Sequence, residues 1–325
     1  MQKFSISSLV IATLSLLPTL GNAQDAKNFP NKPVHIIIGF AAGGGSDTTA
    51  RVLVPKLSEI LGQTVIIDNK PGAGGNLASD YLMKLPPDGY NIALTTIGSL
   101  AINPHMPGGT NFNPLKDFTF LSQGVVFPNV LVVKADSPIK TFKDFVDAGK
   151  KAGSFITFGS SGQGSTGHLA GELLKVRSGM NAQHVNYKGG GPAMNDLLGG
   201  NIVAIFASTP TAIPFIEAGK LRALATSGVK RADSLPTVPT VAEQGYPGYQ
   251  AQNWYAFIGP AKIPTDIQNK LNQALVATLK DPSTAEKLRN IGVEPAPSTP
   301  NELAAYTKSE FETWGKIISN IQWEK

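Results

Sequence analysis

Val34-His35-Ile36-Ile37-Ile38-Gly39-Phe40-Ala41-Ala42-Gly43-Gly44-Gly45-Ser46-Asp47 reads as a strand that runs through a glycine loop into a helix. Its first half is a short, apolar, β-branched run of the buried-strand type. Beyond the glycines, Ala50, Leu53, Val54, Leu57, Ile60 and Leu61 fall on one helical face. Ser46 or Asp47 is the expected N-cap and Gly62 the C-cap, and Pro55 is expected to kink or shorten this helix. Thr64 to Asp68 reads as the next strand, residues 69–75 as a second glycine loop, Asn76 to Leu85 as a helix ended by Pro86-Pro87-Asp88-Gly89, and Asn91 to Thr95 as a third strand. Strands and helices alternating in this way predict an α/β fold with a parallel sheet.

The same grammar returns downstream. Phe155 to Phe158 reads as a strand, residues 159–167 as a glycine and hydroxyl loop, and Leu169, Leu173 and Val176 as a helical stripe. His184 to Tyr187, the loop Lys188-Gly189-Gly190-Gly191-Pro192, a short helix from Ala193 to Leu198 and a strand from Ile202 to Ala207 follow. The two glycine loops of each half are spaced alike, which predicts two related α/β units. The last third, with stripes through Ile267, Leu271, Ala274 and Leu275 and through Leu303, Tyr306, Trp314 and Ile317, has no glycine-loop counterpart. It is expected to pack back onto the first unit.

Composition bounds the chemistry. A chain of 325 residues, 42% hydrophobic and 16% charged, is globular and long enough for about two domains. The absence of cysteine excludes disulfides, thiolate zinc sites, iron-sulfur clusters, a cysteine nucleophile and a lipidated cysteine. A formal charge of +5 without runs of Lys or Arg gives no nucleic-acid footprint, although a mild positive field favours small anions. Residues 1–23 carry Lys3, an apolar stretch from Leu9 to Leu20 broken by Ser15, Pro18 and Thr19, and then Gly21-Asn22-Ala23. They read as a secretory signal peptide cut after Ala23, being too short and interrupted for a membrane anchor. A periplasmic product is expected.

In an open parallel sheet, ligands sit beyond the carboxyl ends of the strands, where unpaired N–H groups and the helix dipole favour an anion. Glycines let the backbone expose those N–H groups, and hydroxyls such as Ser46, Ser160, Ser161, Ser165 and Thr166 add hydrogen bonds. Two such loops facing one another would clamp a carboxylate. The plainer alternative, that the glycines only make tight turns, weighs more at Gly72 and Gly189 than at residues 41–46 or 160–166. Three enzyme motifs fail. Gly162-Gln163-Gly164-Ser165-Thr166-Gly167 has the G-x-G-x-x-G outline, but Tyr187-Lys188 stand where a dinucleotide site needs an acidic residue. Residues 159–166 outline a P-loop without its lysine, and no serine here sits in a nucleophile elbow. His35, His105, His168 and His184 lack metal-ligand spacing, so no metal, cofactor or catalytic residue is expected. His168 follows the second loop, where a helix first-turn place accounts for it better than ligand contact does. Asp47 would repel an anion and is expected to cap the helix and brace the loop. Arg51 either pairs with Asp47 or faces the cleft, and Phe40, Trp254 and Tyr255 either wall a pocket or belong to the core.

Several segments together resemble one family: residues 39–47 with Arg51, residues 68–75, Pro87-Asp88-Gly89-Tyr90, residues 187–192, and Leu235-Pro236-Thr237-Val238-Pro239-Thr240 with Glu243 and Gly245. The chain resembles the Bug family, the periplasmic solute receptors of tripartite tricarboxylate transporters, over nearly its whole mature length. The resemblance implies a two-lobed periplasmic binding protein fold of type II-like α/β architecture with two crossover hinge strands. It implies a small carboxylate held chiefly by backbone and hydroxyl groups of two facing loops, often with bridging water, membrane transporter subunits as partners, and a monomer. The ligand-side residues it implies are Phe40, Ala41, Ala42, Gly43, Gly44 and Ser46 in the first loop and Ser160, Ser161, Gly162, Gly164, Ser165, Thr166 and His168 around the second. Ala207, Ser208 and Thr209 form a third segment. Gly39 stands where the family commonly has proline, which implies a looser approach to the first loop. With Val130 to Ala135 leaving the first lobe and Trp254 to Gly259 returning, lobe one is expected at 24–128 plus 253–325 and lobe two at 129–252.

The first functional reading is therefore a non-catalytic receptor that closes on a carboxylate and delivers it to a transporter. The second is a periplasmic hydrolase with Ser161 or Ser165 as nucleophile, which the missing elbow disfavours. The third is a ligand-sensing partner of a signalling receptor. Aromatic dicarboxylates such as terephthalate, aliphatic diacids, citrate and amino acids all fit these residues, and Phe40 with the scarcity of basic residues in the loops leans toward an aromatic or mostly apolar body over citrate.

Overall fold

The computed structural model describes residues 28–319, so the signal-peptide reading lies outside the described residues. The first half contains β1 (Val34–Ile38), α1 (Gly45–Leu61), β2 (Val65–Asn69), α2 (Asn76–Leu82) and β3 (Asn91–Thr96), and ends in the long strand β4 (Phe118–Lys134). The second contains α3 (Phe142–Lys150), β5 (Ile156–Ser160), α4 (Thr166–Ser178), β6 (Ala182–Asn186), α5 (Gly190–Gly199), β7 (Ala204–Ser208), α6 (Thr209–Glu217) and β8 (Leu221–Thr226). The chain then returns through β9 (Gln252–Pro260), α7 (Thr265–Lys280), α8 (Pro282–Asn290), β10 (Glu294–Pro295) and α9 (Pro300–Ile318).

Both predicted parallel units are present. β1 lies between β2 and β3, parallel to each, and β5 lies between β6 and β7, again parallel to each. The sheet as a whole is mixed, because β3 and β4 pair antiparallel with β9, and β4 pairs antiparallel with β7 and β8. β4 is the strand common to both halves. Its register with β9 runs to Pro128, opposite Gln252, and its register with β7 begins at Asn129. The change of partner thus falls ahead of Val130.

Alternation along the central strands places side chains on two faces, and helices cover both. On one face Ile36 and Ile38 pack with Leu53 and Leu57 of α1 and with Ile267 and Leu271 of α7. On the other, Ile37 packs with Leu82, Trp254, and Leu303 and Trp314 of α9. The C-terminal helices therefore do return to the first unit. Burying each such aliphatic side chain is worth about 1.5–3 kcal/mol, which explains why β1 is apolar on both faces. The second half repeats the plan, with Leu131, Phe158, Leu174 and Phe206 on one face and Val130, Val132, Met194 and Ile205 on the other.

Three local expectations change. The N-cap of α1 is Gly44, so Ser46 and Asp47 lie inside the first turn. Pro55 does not shorten α1, which continues to Leu61 because its apolar stripe is anchored on both sides of the proline. Gly39 does not loosen the approach to the first loop. A Cβ there would lie 2.6 Å from the Gly75 Cα, so the missing side chain lets two glycine loops meet backbone to backbone.

Candidate functional site

The N-termini of α1, α4, α5 and α6 converge where the two halves meet. They meet at a small pocket of about 20 Å³ lined by Phe40, Gly45, Ser46, Thr96, Gly98, Ser161, Ser165, Thr166, Gly190, Ser208, Asn253 and Tyr255. No Asp, Glu, Lys, Arg or His belongs to this lining. The first-turn N–H groups of a helix have no intrahelical acceptor, and the macrodipole places partial positive charge at the same end. Four such ends around one neutral pocket offer unpaired amides and hydroxyls, the groups an anion would need.

Each loop is braced from behind. Asp47 is 2% exposed and accepts hydrogen bonds from the Gly43 N–H at 2.9 Å, from Arg51 Nε at 2.8 Å and from Asn69 Nδ2 at 3.2 Å. Burial alone would raise this carboxyl, but hydrogen bonds from Arg51, Gly43 and Asn69 outweigh it and hold the group below the usual aspartate value. Asp47 is thus a loop brace, and Arg51 is its partner. Asn69 Nδ2 also donates to the Phe40 carbonyl at 3.0 Å, which fixes the start of the loop.

The second loop is held by a buried serine and histidine cluster. Ser165 caps α4 by accepting from the His168 N–H, and its hydroxyl donates to Ser160 Oγ at 3.2 Å. Ser160 Oγ meets His184 Nε2 at 2.7 Å, the His168 and His184 rings lie tilted against each other with centroids 4.1 Å apart, and the Gly164 N–H donates to His168 Nδ1 at 3.2 Å. Burial lowers His168 to about 4, helped by Lys175, and lowers His184 to about 3, helped by His168. Both rings are neutral near pH 7. The Ser160 and His184 pair is no hydrolytic centre, because Ser160 is fully buried behind the loop and does not line the cavity.

Of the residues singled out from sequence, the structure brings Phe40, Ser46, Ser161, Ser165, Thr166 and Ser208 to the cavity. The others stand elsewhere. Ala41, Ala42 and Gly43 face a separate surface groove beside Gly191 and Pro192. The Ala41 N–H donates across to the Lys188 carbonyl at 3.1 Å. Gly44 caps α1 close to Gly190, and Gly162 and Gly164 pack against Gly74 and the Asn103 side chain. Ala207 points into the apolar core, because alternation along β7 sends it away from the cavity, and Thr209 Oγ1 donates to the Gly292 carbonyl at 2.6 Å. Ser160 and His168 stand behind the loop that they support.

The sequence reading missed Gly45, Thr96, Gly98, Gly190 and Asn253, and it left Tyr255 open between wall and core. The Tyr255 hydroxyl is pushed well above its usual value by burial, partly offset by its hydrogen bond with Ser208. Thr96 ends β3 and Gly98 opens the short helical segment after it, a hydroxyl and a glycine at a strand end, a signal of the same kind as the two loops that were recognised. Asn253 gave a fainter one, a single amide ahead of an aromatic strand.

The chain matches the family described as "Tripartite tricarboxylate transporter family receptor" over residues 49–323. It is 37% identical over 313 residues to the "UPF0065 protein in the TAR-I ttuE-ttuC' intergenic region" of Agrobacterium vitis, covering 95% of this chain and 90% of the relative. The solved structure of the periplasmic binding protein BugD superposes with a TM-score of 0.85 at 32% identity, covering 90% of this chain and 98% of that one. The R. palustris protein Rpa4515 with adipate superposes with a TM-score of 0.86 at 34% identity and the same coverage.

Proposed function

Because the chain belongs to the receptor family of tripartite tricarboxylate transporters, whose members are periplasmic solute-binding proteins rather than enzymes, we propose that it captures a small carboxylate in the cavity between its two halves and delivers it to a membrane transporter. The observation that carries this reading is the convergence of four helix N-termini on a lining without charged side chains. Amides and hydroxyls can surround a carboxylate without a cation, and a neutral lining offers no nucleophile and base to transform it. Its contacts come from Phe40, Gly45 and Ser46 on one side and from Ser161, Ser165, Thr166 and Ser208 on the other. Residues 24–128 with 253–325 act as one lobe and residues 129–252 as the other, a division supported by the change of β4 partners at Pro128 and Asn129. The chain is exported and cut after Ala23. No helix among the described residues is long and apolar enough to cross a membrane.

A thermal-shift screen of mono-, di- and tricarboxylates, with terephthalate among them, tests the reading on protein isolated from the periplasm, whose mass should correspond to a chain starting at Gln24. A bound acid should stabilise the fold by about 2.7 kcal/mol at a hundredfold excess over its Kd and be recovered unchanged. Turnover of an acid or ester that Ser161→Ala or Ser165→Ala abolishes would overturn it in favour of a hydrolase.

A further inference from the structure

The two halves also border a second, solvent-open groove of about 350 Å³, which shares no lining residue with the inner pocket. Its first-half wall comes from the loop between β2 and α2 and from residues 103–109, and its second-half wall from Gln163 and residues 186–188. Where the walls meet, Gly74 packs on the Gln163 carbonyl too closely for any Cβ to fit, so the two loops touch backbone to backbone. The polar side chains of this groove are committed in one direction. Asn186 Oδ1 accepts from the Gln163 N–H at 2.8 Å, and because that partner can only donate, the amide oxygen must point to it. Asn103 Nδ2 donates to the Gly74 carbonyl at 3.5 Å and to Asn76 Oδ1 at 2.9 Å, so the oxygen of Asn76 is occupied as well. Asn76 and Asn186 are each left with an NH2 group to donate.

Charge points the same way. Lys188 is the only charged side chain of the lining, and Tyr187 turns its hydroxyl to Asp196, outside the lining, at 2.6 Å. Amide donors and an ammonium with no carboxylate among them make a lining for an anion. An oxyanion suits it better than a halide, because its several acceptor oxygens can be divided between donors on opposite walls. We propose that this groove is a second binding site, for a small oxyanion such as a carboxylate or inorganic phosphate, held by Asn76 from the first half and by Asn186 and Lys188 from the second. An anion bound there ties the halves together in the arrangement described here. The site does not depend on what the inner pocket binds.

NMR of the full mature chain labelled with nitrogen-15, titrated with acetate or with inorganic phosphate and with sodium chloride as the control, tests the site. The side-chain NH2 signals of Asn76 and Asn186 and the backbone N–H of Lys188 should shift saturably with an oxyanion and not with chloride. Asn76→Asp and Asn186→Asp each keep the acceptor that the neighbouring group needs and lose the donor, so each should weaken the oxyanion by at least about tenfold, followed at the remaining signals. Lys188→Gln, a change to an exposed side chain, should weaken it by about threefold or more and serves if an aspartate variant does not fold. Tighter binding of acetate assigns carboxylates as the natural occupant, and tighter binding of phosphate assigns phosphate. Ser161→Ala, in the inner pocket, should leave the shifts in place. Their loss in that variant would assign them to the inner pocket and overturn the second site, as would the absence of saturable shifts, an equal response to chloride, or unchanged affinity in all three groove variants. Losses confined to the Asn186 and Lys188 variants would overturn the bridging of the halves.

Discussion

Asp47 and the histidine pair show how side chains that never reach a ligand decide the shape of a site. Asp47 ties the Gly43 amide, Asn69 and Arg51 into one knot, so the loop before α1 is held by a buried carboxylate. His168 and His184 do the corresponding work for the loop before α4, and only as neutral rings, because His168 Nδ1 must keep its lone pair for the Gly164 N–H. Their lowered values, about 4 and about 3, make a prediction about acid. As pH falls below about 6.5 the unfolded chain takes up protons at both histidines while the folded chain does not, so stability is lost between pH 6.5 and roughly 4, on the order of 1 kcal/mol per pH unit for each ring. Thermal melts at pH 7.5 and pH 5 should therefore differ by more in the unsubstituted protein than in His184→Gln. Equal slopes would mean that the pair is not neutral in the fold. Sequence could place His168 after the second loop, but its partner His184 lies on the next strand, β6, and nothing in the spacing announces the contact.

At the scale of elements, the strand-to-helix loops were legible because glycine and hydroxyl residues there interrupt an apolar run just before a helical stripe, at residues 41–46 and 160–166 alike. What could not be read was which face of each loop turns inward. Gly45 decides it for the first loop: a Cβ there would stand 2.3 Å from Ser208 Oγ and 2.8 Å from the Tyr255 hydroxyl, so the helix end can approach the opposite half only without a side chain. Gly45→Ala is expected to weaken carboxylate binding at least tenfold by calorimetry while shifting the melting temperature of the protein alone by no more than a few degrees. Full affinity in that variant would show that α1 does not need this close approach. Asn253 and Tyr255 were harder still, since they belong to a strand whose neighbours Trp254, Ala256 and Phe257 are core. In such a strand an inward polar residue looks like an exposed one, and only the pairing of β9 with β3 and β4 reveals which it is.

For the molecule as a whole, the two halves share the β4 and β9 ladder and meet again across the loops, at the Ala41 to Lys188 hydrogen bond and at the contact of Thr209 with Gly292. On the proposed receptor reading, those loop contacts part to admit a ligand and re-form around a bound one. Small-angle scattering should accordingly show a smaller radius of gyration when a tightly bound acid is added, with Ser161→Ala shifting the mixture back toward the larger form at fixed acid concentration. Identical scattering with and without an acid shown by calorimetry to be bound would leave the moving-lobe reading unsupported. The neutrality of the lining has a kinetic side as well. Its attraction comes from partial charges at helix ends that face inward, and at physiological ionic strength a field of that kind fades within about 8 Å. Nothing in the cavity can draw an anion from a distance. On the receptor reading, capture depends on how often the loops part and on the concentration of the acid, and the salt dependence that remains comes from the net positive charge of the chain.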